Sequence, residues 1–285
     1  MHSKDTVFYS KKTLNLKGNL LDLSEPAVMG ILNVTPDSFY DGGDWLDEIK
    51  IIERAGQILS EGAKIIDIGG YSSRPGAENI SVDEELRRVI PAIRSVKKNF
   101  PESCISIDTF RSEVAKVAVE EGACMVNDIS AGELDDKMFA FIAELKIPYV
   151  IMHMRGTPLT MKRLTDYQNV TFEIIEYFQK KIFALKQLGV KDIIIDPGFG
   201  FAKTVDQNYE VLKNLNYFKS LNLPLLAGLS RKSMIWKKLG VEAGEALNGT
   251  TVLNTIALTK TADILRVHDV KAAVEATKLY KATYH

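Results

Sequence analysis

The sequence predicts an α/β fold, a (β/α)8 TIM barrel with an N-terminal β-hairpin, and two observations carry that prediction. Eight short apolar, β-branched runs recur along the 285 residues, and each closes on polar or glycine residues before a longer amphipathic segment. Continuous apolar runs suit strands buried on both faces, as parallel strands are beneath helices. An eightfold alternation of such strands with helices closes most simply into a barrel. The alternative for the same pattern is an open, doubly wound sheet.

Taken in order, the first element is TLNLKGNLLDL, which alternates apolar and polar residues around Lys17-Gly18-Asn19. That is a hairpin pattern. It is expected over residues 1–26 as a cap on the barrel, which takes residues 27–285 as one domain. The strands are expected in VMGILNV, KIIDIGG, CISIDTF, MVNDIS, YVIMHM, DIIIDPG, LLAGLS and ADILRVH. The helices are expected at Asp47–Ser60, Asp83–Asn99, Arg111–Glu121, Asp135–Leu145, Asp166–Leu188, Val205–Ser220, Glu242–Thr259 and Val270–Tyr280. No linker, low-complexity tract or repeat beyond the strand–helix period marks a second domain.

Composition narrows the function classes. A formal net charge of −1 with 26% charged residues offers no basic footprint for nucleic acid and no polybasic membrane anchor. No segment approaches the roughly 18 uninterrupted apolar residues of a membrane helix, and the polar start MHSKDTVFYSKK lacks the core of a signal peptide. A soluble cytoplasmic protein is expected. Cys104 and Cys124 lack metal-ligand or redox spacing and read as small buried thiols.

In a barrel of this kind the active site lies at the carboxyl ends of the strands, and the polar residues collect there. In order they are Asn33, Asp67, Asp108, Asn127 with Asp128, His153, Asp196, Ser230-Arg231-Lys232, and Arg266 with His268. Single residues such as Asp128 or Ser230 read equally well as helix caps. The whole set does not, because crowding acids, amides and cations around one mouth is costly unless they pair or meet a ligand. Asp108, Asp196 and Asn127 can read the donor and acceptor edge of a flat heterocycle. Arg266 can stack on a planar ring or fork onto an oxyanion, and Lys232 is a point-charge donor.

The ends of the last two strands, with a following helix N-terminus, are the usual phosphate site of such barrels. Arg266 and His268 stand two apart, so on a strand they share a face and form a cationic pair suited to a phosphate. The alternative is a solvated arginine and a histidine capping the last helix. Two long loops, TPDSFYDGGDW and YSSRPGAENISVD, carry Phe39, Arg74 and Pro75 and read as a lid rather than surface decoration.

These motifs together resemble a known family. NVTPDSF, the SSRPGA loop, SIDTFR, VNDISAG, MHMRGTP, DPGFGFAK, GLSRKSMI and LRVHDV closely resemble bacterial dihydropteroate synthase, the folate-pathway enzyme targeted by sulfonamides, in order from about Val28 to Val270. The resemblance implies condensation of 6-hydroxymethyl-7,8-dihydropterin pyrophosphate with p-aminobenzoate, through a cation-like pterin methylene. It implies a pterin pocket at Asp108, Asn127, Asp196, Lys232 and Arg266, and pyrophosphate contacts from Ser73, Arg266 and His268. It also implies a p-aminobenzoate pocket at Phe39, Ser73, Pro75, Phe201, Lys232 and Ser233. Asn33 matches a ligand of Mg2+, the implied cofactor, and Asp37, Asp41 and Arg74 match loop positions that shield the cation. The family is typically a homodimer packed on late helices, and TVLNTIALT is apolar enough to serve.

Three positions depart from the common family pattern, and the mildest is Ser73, which keeps the hydroxyl of the usual threonine but loses its methyl. Tyr71 stands where glutamate is usual, and Ala202 stands where glycine is usual, which matters if that residue takes a positive φ. Three other readings fit parts of the pattern: a folate-to-corrinoid methyltransferase, a Schiff-base aldolase acting through Lys232, and a paralogue that keeps the fold without the chemistry. The first should lack the two loops and the phosphate pair. The second needs a Lys232 ammonium that burial has destabilised, whereas Asp196 is expected to stabilise it. The third should have lost charged residues that this chain keeps.

Overall fold

The computed structural model describes residues 12–35, 44–72 and 79–284. The hairpin comprises β1 (Thr13–Leu16) and β2 (Asn19–Asp22), paired antiparallel with Leu16 opposite Asn19. Its turn residues Lys17 and Gly18 both have positive φ, 52° and 99°, the two-residue geometry that matches strand twist.

The barrel strands are β3 (Ala27–Asn33), β4 (Ile65–Gly69), β5 (Ile105–Asp108), β6 (Met125–Asp128), β7 (Tyr149–Met152), β8 (Ile193–Asp196), β9 (Leu226–Ala227) and β10 (Ile264–Val267). They form one parallel eight-stranded sheet in the order β8-β7-β6-β5-β4-β3-β10-β9. A parallel bridge from Ile195 to Leu225 brings the two edges together. The expected barrel with its preceding hairpin is what the chain forms.

Each strand sorts its side chains by the two-residue period. Ile66, Ile68, Ile105, Ile107, Val126, Ile151, Ile193, Ile195, Leu265 and Val267 join the core beneath the helices. Met29, Ile65, Met125, Val150, Ile194, Leu226 and Ile264 point the other way and close the barrel floor together with Leu14, Leu16 and Leu23 of the hairpin segment. The hairpin therefore plugs the end of the barrel opposite the strand carboxyl termini.

Outside the sheet run α1 (Asp44–Ser60), α2 (Val82–Asn99), α3 (Ser112–Glu120), α4 (Met138–Leu145), α5 (Val170–Gln187), α6 (Val205–Lys213), α7 (Ser233–Leu239), α8 (Leu247–Thr259) and α9 (Val270–Tyr284). Several boundaries differ from the sequence reading, each for a local reason. The helix expected from Asp166 begins at Val170, because Asn169 caps it by accepting from Phe172 N and Glu173 accepts from Gln168 N and Asn169 N. The helix expected to reach Ser220 stops at Lys213 and continues as a 3-10 turn. The segment expected as one helix from Glu242 is a 3-10 turn followed by α8. The helix α7 was not among the eight expected; it is seven residues long and ends at Gly240 in the left-handed region.

Candidate active site

The polar residues of the mouth follow from the floor by the strand period. Two residues beyond Ile65, Met125, Ile194 and Ile264 stand Asp67, Asn127, Asp196 and Arg266, on the same interior face. Strand register adds a row across four strands, since Asn33 pairs with Gly69, Gly69 with Asp108, and Asp108 with Asn127.

Arg266 organises this layer. Its Nε donates to Asp67 Oδ2 at 2.6 Å and one terminal nitrogen donates to Asp108 Oδ2 at 2.5 Å. Asn127 Nδ2 donates to the same Asp67 oxygen at 3.0 Å. Burial works against the guanidinium charge, but the Asp67 and Asp108 carboxylates more than offset it and raise the Arg266 pKa. Asp108 is pushed up to about 7, mainly by burial, with Arg266 pulling the other way. Asp67 Oδ1 and Ser106 Oγ are buried with no hydrogen-bond partner among the described residues. Buried acceptors without partners cost free energy unless a ligand supplies the donor, so the layer is built to receive one.

The opposite wall carries Asp196, Lys232 and Phe201. Asp196 Oδ1 accepts from Gly198 N at 2.8 Å, and burial raises its pKa. Gly198 has φ 71°, and a Cβ there would lie 2.1 Å from the His153 carbonyl oxygen, so only glycine makes this turn. Lys203 Nζ closes the loop by bonding Gly198 O, Phe201 O and His153 Nδ1. Burial, then the Lys203 charge, holds His153 well below the usual histidine range, so it serves as a neutral acceptor. The loop in turn presents Phe201, over which Lys232 Nζ sits 4.4 Å from the ring centroid.

Lys232 itself departs from expectation. Burial pushes its pKa down to about 8, and the nearby Asp196 only partly restores it. The ammonium still predominates at neutral pH.

At the end of β10, His268 Nδ1 lies 3.0 Å from Ser230 Oγ, which also accepts from His268 N. Ser230 thus orients a histidine rather than capping a helix. Asp128 takes the plainer role, accepting from Ser130 N, Ser130 Oγ, Gly132 N and Tyr149 Oη in the turn after β6.

The cationic pair of the sequence reading is corrected. Burial, with Arg266 and Arg231 nearby, pushes His268 down to about 4, so at neutral pH it is an uncharged hydrogen-bonding group beside one arginine. The neighbouring Arg231 is occupied by Asp269 through two bonds of 2.9 and 2.7 Å. The N-terminus of α9 is partly satisfied too, since Lys271 N donates to Glu61 Oε2. Ser233 opens α7, whose N-cap residue Lys232 makes no side-chain cap.

Of the remaining candidates, Asn33 is half-buried at the end of β3. Phe39, Ser73, Pro75, Asp37, Asp41 and Arg74 lie outside the described residues. Tyr71 packs edge-on against Phe110, and the Arg111 guanidinium, ion-paired to buried Glu85, lies over both rings. Ala202 has φ 46°, so the departure from glycine places a Cβ in a conformation that costs roughly 1–2 kcal/mol. Sequence reasoning placed Asp67 among the mouth residues but gave it no role in the site. Its signal was a charge inside the apolar run KIIDIGG, in phase with Ile65.

Among the described residues no group of three His, Cys, Asp or Glu could hold a metal ion. A resident metal cage is therefore not built from them. A Mg2+ carried in on substrate phosphates needs only one or two protein oxygens and keeps its waters, and Asn33 can supply one.

A parallel barrel with this mouth defines an enzyme for a flat, polar, anionic small molecule, read by acids and an amide from below and by a lysine–aromatic shelf at the side. A family model described as pterin binding enzyme matches residues 29–268, and the chain belongs to that family. It is 45% identical over 269 residues to dihydropteroate synthase of Escherichia coli strain K12, covering 94% of this chain and 95% of that one. The structure of Xanthomonas albilineans dihydropteroate synthase with 4-aminobenzoic acid superposes with a TM-score of 0.89 at 38% identity, covering 96% of this chain and 98% of that one. Yersinia pestis dihydropteroate synthase in complex with a sulfonamide drug gives 0.88 at 39% identity, covering 95% and 98%.

Proposed function

We propose that the protein joins 6-hydroxymethyl-7,8-dihydropterin pyrophosphate to p-aminobenzoate, releasing pyrophosphate and 7,8-dihydropteroate, as a cytoplasmic step of folate synthesis. The observation that carries this reading is the sunken layer of Asp67, Asp108, Asn127 and Arg266, with two buried polar atoms left for a ligand. A pterin offers a flat edge of N–H donors and acceptors. Asp196 and Asp108 accept from that edge, Asn127 reads it both ways, and the Arg266 guanidinium packs against the ring.

The pyrophosphate then lies toward His268, which donates through Nε2–H when Ser230 Oγ–H donates to Nδ1. Tautomer and rotor are assigned from this hydrogen bond. Asn33 would hold a Mg2+ brought in on the substrate phosphates, and such an ion would supply charge neutralisation for the departing pyrophosphate. Departure ahead of attack leaves a cation-like methylene, which suits a weak nucleophile such as an aromatic amine. Phe201 covers the p-aminobenzoate ring, and Lys232 with Ser233 meets its carboxylate. The family resemblance assigns Phe39, Ser73 and Pro75 to that pocket, Ser73 to the pyrophosphate as well, and Asp37, Asp41 and Arg74 to shielding of the cation. Sulfonamides compete for the p-aminobenzoate pocket. The experiment is pyrophosphate release from the pterin substrate with and without p-aminobenzoate: release dependent on the amine is expected, and release indifferent to it contradicts the reading.

His268→Ala is expected to raise KM for the pyrophosphate substrate about 10- to 100-fold, the worth of a hydrogen bond to a charged group. Affinity for the pterin alcohol lacking pyrophosphate should not change. Calorimetry of both ligands checks this, and equal losses for the two would refute the division of labour.

The protein acts as a homodimer in this reading. Val252 and Ile256 of α8 are 50% and 37% exposed, and Leu279 and Tyr284 of the adjoining α9 are 70% and 62% exposed, an apolar face of the kind that marks an interface. Sedimentation at micromolar concentration should give twice the chain mass, and Val252→Glu should give the monomer. A wild-type monomer would refute the dimer. No described helix is long and apolar enough to cross a membrane.

A further inference from the structure

We infer that Cys104 and Cys124 form an oxidation-ready dithiol on the floor side of the barrel, which a two-electron oxidant such as hydrogen peroxide closes to an intramolecular disulfide. Twenty residues separate the two in sequence, and nothing in their spacing suggests a pair. The fold brings them together. Cys104 precedes β5 and Cys124 precedes β6, and these neighbouring parallel strands pair Ser106 with Met125. That register sets the two sulfurs 3.1 Å apart in a thiol–thiol hydrogen bond. About 1 Å of further approach makes a covalent bond.

The surroundings favour the chemistry. Cys124 is 8% exposed and packs into the floor cluster, whereas Cys104 is only half-buried and gives a small oxidant its way in. Lys97 is anchored beside the pair by Pro101 O and Ser103 O, and Lys17 of the hairpin turn is anchored by Val119 O. Both ammonium groups favour a thiolate. Hydrogen bonding from Cys104 holds Cys124 below the usual thiol range, and the same contact holds Cys104 above it. One sulfur is thus poised as nucleophile while its neighbour keeps the proton.

The steps balance. The Cys124 thiolate attacks one peroxide oxygen, the O–O bond breaks, and the departing hydroxide takes a proton to become water. Cys124 is then a sulfenic acid, oxidised by two electrons. The Cys104 sulfur attacks the Cys124 sulfur, the S–O bond breaks, and the leaving oxygen takes the Cys104 proton as a second water. Two thiols and one peroxide give one disulfide and two waters. In a glutathione-buffered compartment the pair rests reduced. Under peroxide it closes in preference to further oxidation of either sulfur, because the resolving thiol is already in contact. The bond ties β5 to β6 around α3 at the end of the barrel away from Arg266 and Asp196, so it stiffens the fold without touching the site.

The test uses the full chain, reduced, desalted and exposed to equimolar hydrogen peroxide. Both thiols are expected to disappear together, with a mass about two units lower, a peptide linking Cys104 to Cys124, and full reversal by dithiothreitol. The melting temperature should rise by several degrees, and turnover should match that of the reduced protein. Cys104→Ser should stop at a sulfenic acid on Cys124 that dimedone traps. Persistent free thiols, oxygen addition without a cross-link, or a disulfide joining two chains would each overturn the inference.

Discussion

Arg266→Gln is expected to lower activity by about 10²- to 10³-fold, as when a site's principal electrostatic donor is lost, and to lower stability by about 3–5 kcal/mol. The second effect arises because Asp67 and Asp108 are left facing each other in the barrel with no cation between them. In a chain of this size such a loss lowers the melting temperature by about 10 °C. Its pH dependence identifies the cause. Burial raises Asp108 to about 7 in the folded protein against an ordinary 3.8, so the folded state binds the extra proton between those values. Its contribution to stability is therefore full below about 3.8 and is lost as pH rises to about 7. Without Arg266, which holds Asp108 down, that window extends to higher pH. Thermal melts should show the variant losing most against wild type above neutrality and recovering in mild acid. A deficit constant with pH would mean that packing, not charge, had been lost.

Asp196→Asn should leave the fold intact and remove most pterin recognition. Asparagine keeps the oxygen that accepts from Gly198 N, yet it turns an N–H toward an N–H donor of the ligand. An unmet buried donor on each side costs about 3 kcal/mol, or roughly 10²-fold in kcat/KM. The change also removes the counter-charge that restrains Lys232 from falling further below about 8. The variant should therefore carry a more neutral Lys232 and bind p-aminobenzoate less well near neutral pH. Unchanged melting with weakened binding of both ligands is the expected pattern, read by calorimetry. Normal pterin affinity would remove Asp196 from the site.

Much of this geometry was legible in the chain because a barrel strand obeys a two-residue period and its ends face one mouth. Asp108, Asn127, Asp196 and Arg266 were found by that rule alone. Asp67 was placed at the mouth with them, but its pairing with Arg266 was not legible, because strand register one layer below Asp108 sets it. The protonation states were not legible, because they depend on desolvation by residues distant in sequence. His268 is neutral and Lys232 is pushed toward neutrality for that reason. The pairing of Cys104 with Cys124 was hidden in the same way, being set by strand register. The end of α7 at Gly240 and the start of α5 just after Asn169 came from single capping residues that hydrophobic periodicity does not weigh.

The reaction at this mouth is transfer to an amine, not hydrolysis of a pyrophosphate ester. It is tested most directly with isotopically labelled p-aminobenzoate, the pterin pyrophosphate and Mg2+, with the label followed by chromatography. Label recovered as 7,8-dihydropteroate, in step with pyrophosphate released, is the predicted result. Pyrophosphate released while the label stays in free p-aminobenzoate would contradict it.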